Sequence, residues 1–243
     1  MFPQEIICKY SFLSDREFSM EWTADNIRKK YEFDAVGITK HNGKTIIVLG
    51  METEPDKNLD KFIGGDKYIQ GNKEYSTWCF SGFKKYFSPV VDKFLIDFEK
   101  IDKKVKPFEG YDESINVKEL AIKAGIGFQG RNTLVINDRF QGRLRFRLIK
   151  TSIDIEPTGE GINQKQKNAY CDKCRLCELA CPTQVLQDYK LTDIEKCLAH
   201  KQLTNRTPNL VRCNLCWRAC RKDLYWAKQM QSGRDTITKK MLP

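Results

Sequence analysis

Eight of the ten cysteines in this 243-residue chain lie between residues 171 and 220, at spacings suited to thiolates that hold metal. Cys171, Cys174, Cys177 and Cys181, closed by Pro182, form a C-x2-C-x2-C-x3-C-P run. In such a run the first three thiolates hold one 4Fe-4S cluster and the fourth reaches across to a second. That layout demands a second set. Cys213, Cys216 and Cys220 repeat Cys174, Cys177 and Cys181 at a constant offset of 39 residues. Leu210 occupies the position of the missing ligand, and Cys197 is the spare thiol nearby. The expected assignment is therefore Cys171, Cys174, Cys177 and Cys220 on one cluster, and Cys181, Cys197, Cys213 and Cys216 on the other. Two structural zinc sites are the competing chemistry. They favour paired C-x2-C knuckles, whereas a triplet ending in C-P suits cubane clusters.

Other chemistries have little to work with. Cys8 and Cys79 are isolated and read as small core residues. There are two histidines: His41, in a turn, and His200, three residues after Cys197 and read as a surface residue. Serine-triad and mononuclear zinc hydrolysis are thus poorly served. The N-terminal MFPQEIICKYSF lacks a basic stretch and its apolar run carries Glu5. The longest apolar run, TIIVLGM, is far below the roughly 18 residues of a membrane span. A reducing cytoplasm is the expected location, and there clustered cysteines are metal ligands rather than disulfides.

The elements that must position these thiols come from the rest of the chain. The expected class is α+β: a mixed α/β domain over 1–160, then a small two-cluster ferredoxin-like domain over 161–243 with a basic tail. A helix is expected over 15–31. FDAVGITK and KTIIVLGM should form a hairpin about Asn42-Gly43. Residues 56–74 read as a polar loop. The stretch from Tyr75 to Ile101 reads as helix broken at Pro89. VKELAIKAG should be a short helix ended by Gly125, and NTLVIN and RLRFRLIK strands. GIGFQG, residues 125–130, spells a dinucleotide fingerprint, but a helix precedes it and a strand follows, so nucleotide binding of that kind is rejected. Three glycines in six residues still imply that the backbone approaches something closely, a neighbouring strand or a flat ligand.

ELAIKAGIGFQGRNTLVIN ahead of the cysteine run resembles epoxyqueuosine reductases and the catalytic core of reductive dehalogenases, whose motif here is A-G-[LI]-G-x-x-G-[KR]-N-T. DAVGIT, TIIVLGM and KPFEGYD resemble segments of that group in the same order. The resemblance implies a nitroreductase-like domain holding base-off cobalamin beside two 4Fe-4S clusters that feed it electrons. It places Gly125, Gly127, Gly130, Arg131, Asn132 and Thr133 against the cobalamin, and gives Asp112 or its neighbour Tyr111 the role of proton donor. The chain departs from the group in ending 23 residues after Cys220, where epoxyqueuosine reductases usually continue into a helical-repeat domain.

Charge bears on partners. The formal net charge is +10, and residues 201–243 carry ten Lys/Arg against Asp223 and Asp235. Arg143, Arg145 and Arg147 alternate with Leu144, Phe146 and Leu148, so one face of that strand is cationic. A low-potential donor of flavodoxin or ferredoxin type and a tRNA are both candidate partners, and basicity that offsets anionic clusters explains the same charge. A monomer is expected. Three functions remain open: a cobalamin-dependent iron-sulfur reductase removing an epoxide oxygen or similar leaving group, an electron carrier for a corrinoid protein, and an RNA-binding module with structural clusters.

Overall fold

The computed structural model describes residues 22–54, 57, 59, 62–64, 67–70, 73–76, 79–108, 116–159, 169–199 and 213–220. Helix α1 (Ala24–Tyr31) starts at Thr23, whose side chain accepts a hydrogen bond from Asn26 N at 3.3 Å. Strands β1 (Ala35–His41) and β2 (Lys44–Glu52) follow as a hairpin. Asn42 and Gly43 both take positive φ, 49° and 68°, which is the tight turn that the Asn-Gly pair predicts.

The stretch 56–74 departs from the expected loop. It contains β3 (Phe62–Gly64), β4 (Lys67–Gln70) and the start of β5 (Lys73–Ser76); β3 pairs with β6 (Cys79–Phe80), and β4 with β5. The sequence between β4 and β5 is Gly71-Asn72, a two-residue turn signal that polar composition conceals. The expected break at Pro89 is also corrected. A π-helical turn, Phe83–Phe87, runs into α2 (Ser88–Phe98), and Pro89 sits in its first turn, where no N–H is required. Then come β7 (Lys106–Pro107), α3 (Val117–Lys123), β8 (Phe128–Gln129), β9 (Val135–Ile136) and β10 (Leu144–Thr151). Of NTLVIN, only Val135–Ile136 is strand.

β2 has no apolar alternation because both of its faces are covered. It sits inside an antiparallel sheet of order β1-β2-β10-β7. On one face Ile47, Leu49, Met51 and Ile149 meet Ile27 and Tyr31 of α1 and Val91, Phe94 and Phe98 of α2. On the other, Ile46, Val48, Leu144 and Leu148 meet Leu120, Ala121 and Ile122 of α3. The result is a mixed α/β layer with open sheets. α3 crosses β1 where Gly37 permits it: a Cβ there would stand 2.5 Å from the Ala124 carbonyl oxygen.

The cysteines sit on and between α4 (Ala169–Lys173), α5 (Leu176–Leu179), β11 (Leu186–Gln187), β12 (Lys190–Leu191) and α6 (Leu215–Cys220). Among the described residues no helix is long and apolar enough to cross a membrane.

Candidate metal centre and adjoining cavity

Cys171 lies on α4, Cys174 follows it, Cys177 is on α5 and Cys181 comes one residue after that helix ends at Ala180. Cys216 and Cys220 lie on α6, with Cys213 just ahead. Burial pushes the Cys220 thiol up to about 12, and the neighbouring thiols that push it further are Cys171, Cys177 and Cys174. Burial likewise pushes Cys216 up to about 12, reinforced by Cys213, Cys181 and Cys197, with Cys177 the weakest neighbour. Cys220 thus has Cys171, Cys177 and Cys174 as its thiol neighbours, whereas Cys216 has Cys213, Cys181 and Cys197 first, with Cys177 of the other set also within reach. Cys177 is raised to about 11, first by burial and then by Glu178. Thiols kept neutral by burial ionise when a metal centre supplies the compensating charge. Among the described residues no three His, Cys, Asp or Glu side chains converge as a single ion requires.

The second group opens onto a cavity of about 530 Å³. Cys181, Cys197, Cys213 and Cys216 line one wall; Asn132 and Thr133 of the glycine segment line another, with Phe83 and Phe146. Asn132 is 4% exposed. Its Oδ1 accepts from Leu134 N at 3.2 Å, which leaves Nδ2 buried without a hydrogen-bond partner. Asn214, also in the wall, has its Oδ1 in the same condition. Two residues that line the cavity thus each carry a buried polar atom with no partner among the described residues, one a donor and one an acceptor. Thr133 has φ 62°, a strained conformation for a β-branched residue, and its N–H is held by the Gly130 carbonyl at 2.9 Å.

The glycines are explained by the chain itself. Gly125 ends α3 with φ 76°, as expected. A Cβ on Gly127 would be 2.2 Å from the Ile136 carbonyl oxygen, and one on Gly130 would be 2.5 Å from the Ile136 side chain. Of the two close approaches that the sequence allows, a neighbouring strand or a flat ligand, these distances show the strand.

Arg131 faces the cysteine segment rather than the cavity. It is 8% exposed. Its Nε donates to Glu178 Oε1 at 2.8 Å, NH1 and NH2 lie 3.9 and 3.7 Å from Asp172 and Asp188, and Tyr189 packs against its guanidinium at 5.1 Å. The Glu178 bond, ahead of the opposing effect of burial, raises the guanidinium pKa above its ordinary value. Burial pushes the Glu178 carboxyl up, but bonds from Arg175, Arg131 and Asp188 N outweigh it and leave it below the usual range. Burial pushes the Cys171 thiol up, and the nearby Arg131 backbone N–H opposes that. Asp188 and Tyr189 turn the β11–β12 hairpin with positive φ, and the Tyr189 hydroxyl donates to Asp172 at 2.8 Å. Sequence reasoning missed Glu178, Asp172, Asp188 and Tyr189. The signal was there: three acids among the cysteines, facing an Arg in a segment otherwise neutral.

Arg145 and Arg147 lie on β10 and Arg143, expected in the strand, sits in the turn just ahead of it; each is engaged. Arg143 pairs with Glu52, Arg145 lies 5.7 Å from the Trp217 ring, and Arg147 lies 5.2 Å from the Phe83 ring. Burial lowers the Arg147 pKa, opposed by Asp92. Asp112, Tyr111, His200, Cys8 and the tail after Cys220 lie outside the described residues. The sequence puts Asp112 five residues ahead of Val117, which lines the cavity.

No family model matches the chain. Its curated relatives include epoxyqueuosine reductases of Gloeobacter violaceus, 31% identical over 44% of this chain and 35% of that one, and of Leadbetterella byssophila, 29% identical over 73% and 58%. A tetrachloroethene reductive dehalogenase of Desulfitobacterium hafniense is 32% identical over 37% of this chain and 16% of its own length. The chain thus spans about a third to three fifths of the epoxyqueuosine reductases it matches. Its fold is that of solved epoxyqueuosine reductases. One, crystallised with a tRNA-Tyr epoxyqueuosine-modified stem loop, gives a TM-score of 0.57 at 15% identity over 89% of this chain and 69% of that one. Another, from Streptococcus thermophilus, gives 0.52 at 18% over 82% and 64%. These are the groups whose motifs the sequence carries.

Proposed function

We propose that this chain is a cobalamin-dependent iron-sulfur reductase that removes the epoxide oxygen of epoxyqueuosine in tRNA. The reading is supported by the thiol neighbourhoods, Cys220 near Cys171, Cys174 and Cys177, and Cys216 near Cys213, Cys181 and Cys197, the last four lining a cavity that Asn132 and Thr133 of the glycine segment also line. Cys171, Cys174, Cys177 and Cys220 would hold one 4Fe-4S cluster, and Cys181, Cys197, Cys213 and Cys216 the other. A base-off corrinoid would be held against this cavity through Asn132, whose buried Nδ2 has no hydrogen-bond partner among the described residues and suits one of the ligand's amides. When bound, the clusters supply electrons one at a time and the corrinoid supplies the reducing centre.

The chain's own residues orient and protonate. Asn132 holds the ligand's edge, and the strained Thr133 turn fixes Asn132 in place. Phe83 and Phe146 exclude water from the apolar side of the cavity. Asp112 would deliver the proton to the departing oxygen, with Tyr111 its alternative. An electron carrier needs no such cavity, and neither does an RNA-binding module with structural clusters.

The test offers epoxyqueuosine, in a tRNA anticodon stem-loop and as the free nucleoside, to the reconstituted protein with a strong reductant. The expected result is loss of one oxygen from the base. Asp112→Asn should lower turnover by roughly 10²–10⁴-fold with the cofactors retained. A fully loaded protein that leaves both substrates unchanged would overturn the reading.

A further inference from the structure

At the β7 edge of the sheet, remote from the thiols, lies a cleft of about 420 Å³ lined by Lys44, Lys103, Lys104, Lys106 and Lys150. Its remaining lining among the described residues is Val105, Thr151 and Ser152, with no carboxylate among them. Lys44, Lys103, Lys104 and Lys106 are exposed, and no ion pair joins them to a carboxylate among the described residues. The acid nearest to hand is turned to the floor. Asp102 is 4% exposed and accepts from the Thr151 hydroxyl, from Ser152 N at 2.7 Å, from the Ser152 hydroxyl at 2.9 Å and from Lys104 N at 2.9 Å. Those bonds occupy its oxygens and fix the turn that carries Lys103, Lys104 and Lys106. The lysines are therefore presented from a pinned backbone, which reduces the ordering cost of binding an anion.

We propose that this lysine cleft binds the phosphate backbone of an RNA strand whose reacting base enters the thiol-walled cavity. The inference rests on the reductase reading above, and it names where the RNA lies. The geometry favours RNA over an acidic electron-donor protein. β10 borders both sites, with Arg145 and Phe146 at the cavity and Lys150 and Thr151 at the cleft. Six residues of extended strand separate Arg145 from Thr151, about 20 Å. A donor protein seated on the lysines would deliver electrons at the wrong end of the sheet. A nucleic-acid strand carries a charge on every nucleotide, so it can place a base in one site and phosphates several nucleotides away in the other.

The experiment measures binding of the full-length protein to an epoxyqueuosine stem-loop by fluorescence anisotropy across a salt series. Lys104→Ala with Lys106→Ala should weaken binding several-fold and reduce the slope of log K against log salt by about 1 to 2. Lys29→Ala with Lys84→Ala, the same charge change at exposed positions elsewhere, should leave the slope unchanged. Reduction of the free nucleoside should be equal in all three proteins. A cleft variant with the wild-type slope overturns the proposal. So does one that binds RNA normally but slows nucleoside reduction only with a flavodoxin donor, which would make the cleft a donor site. A wild type that reduces the nucleoside and does not bind the stem-loop overturns the cleft and leaves the reductase reading standing. One that binds with the lysine-dependent slope and reduces neither substrate overturns the reductase reading alone.

Discussion

Arg131 donates its Nε hydrogen to Oε1 of Glu178 across 2.8 Å, with both side chains less than a tenth exposed. The bond joins the segment after the glycines to the helix of Cys177. A residue that the family resemblance sets against cobalamin thus ties the cavity wall to the thiol groups. Removing one partner of such a pair leaves a buried charge uncompensated.

Arg131→Met should therefore destabilise the protein by about 3 kcal/mol. Urea unfolding of the reconstituted protein measures it. Glu178 keeps Arg175 at 2.8 Å, so Glu178→Gln should cost less, and the double variant should show coupling of about 1 kcal/mol or more. Arg131→Lys should rescue little, because an ammonium cannot span Glu178, Asp172 and Asp188 at once. Additive single effects would remove the pair from the account.

Asp102 sets an acid limit on stability. Burial pushes its carboxyl up, but bonds from Thr151, Ser152 and Lys104 outweigh that and hold it below the ordinary carboxylate value. Because the folded-state value is depressed, its contribution is complete above about pH 5 and is lost as pH falls through the ordinary and then the folded value. Asp102→Asn should lower stability at neutral pH by roughly 1–3 kcal/mol and flatten the acid limb of a melting-temperature profile. An unchanged limb would assign the acid sensitivity to other groups.

Gly127 and Gly43 separate two reasons for glycine. A Cβ at Gly127 collides with the Ile136 carbonyl, whereas Gly43 has open space and positive φ. Gly127→Ala should cost roughly 1–3 kcal/mol through the β8–β9 pairing, and Gly43→Ala about 1 kcal/mol through strain alone. Gly127→Ala should also weaken cobalamin retention, since the same turn positions Asn132. Equilibrium dialysis of both variants distinguishes them: Gly43→Ala should retain cobalamin as the wild type does.

The proposed thiol groups are read from the sequence because ligand spacing is local and its chemistry is strict. The 39-residue offset aligns Cys220 with Cys181, and the cross-over of the fourth thiolate in such runs assigns it to the first three; in the fold Cys171, Cys177 and Cys174 are its thiol neighbours. The hairpin at Asn42-Gly43 was legible for the same reason, a turn that few residue pairs can make. What escaped depends on contacts between distant segments. Nothing near Arg131 in sequence says that Glu178 is its partner, and Gly127 reads equally as ligand-facing or strand-facing until Ile136 is placed. The strands within 56–74 were hidden by polar residues, which carry no apolar alternation to betray a short hairpin.

The thiol pairing has its own signature. Cys220→Ala should impair the cluster of Cys171, Cys174 and Cys177, and Cys197→Ala the other, with distinct electron paramagnetic resonance signals lost in each. Cys79→Ala should leave both intact. Loss of the same signal from Cys220→Ala and Cys197→Ala would mean that the eight thiols are shared differently.

The central claim is tested most directly by metal content. Anaerobic reconstitution with iron, sulfide and cobalamin, followed by gel filtration and elemental analysis, should yield about eight iron and eight sulfide per chain. One cobalt should be retained with them, with a base-off visible spectrum. About four iron, two tightly held zinc, or full clusters with no retained cobalt would contradict the account.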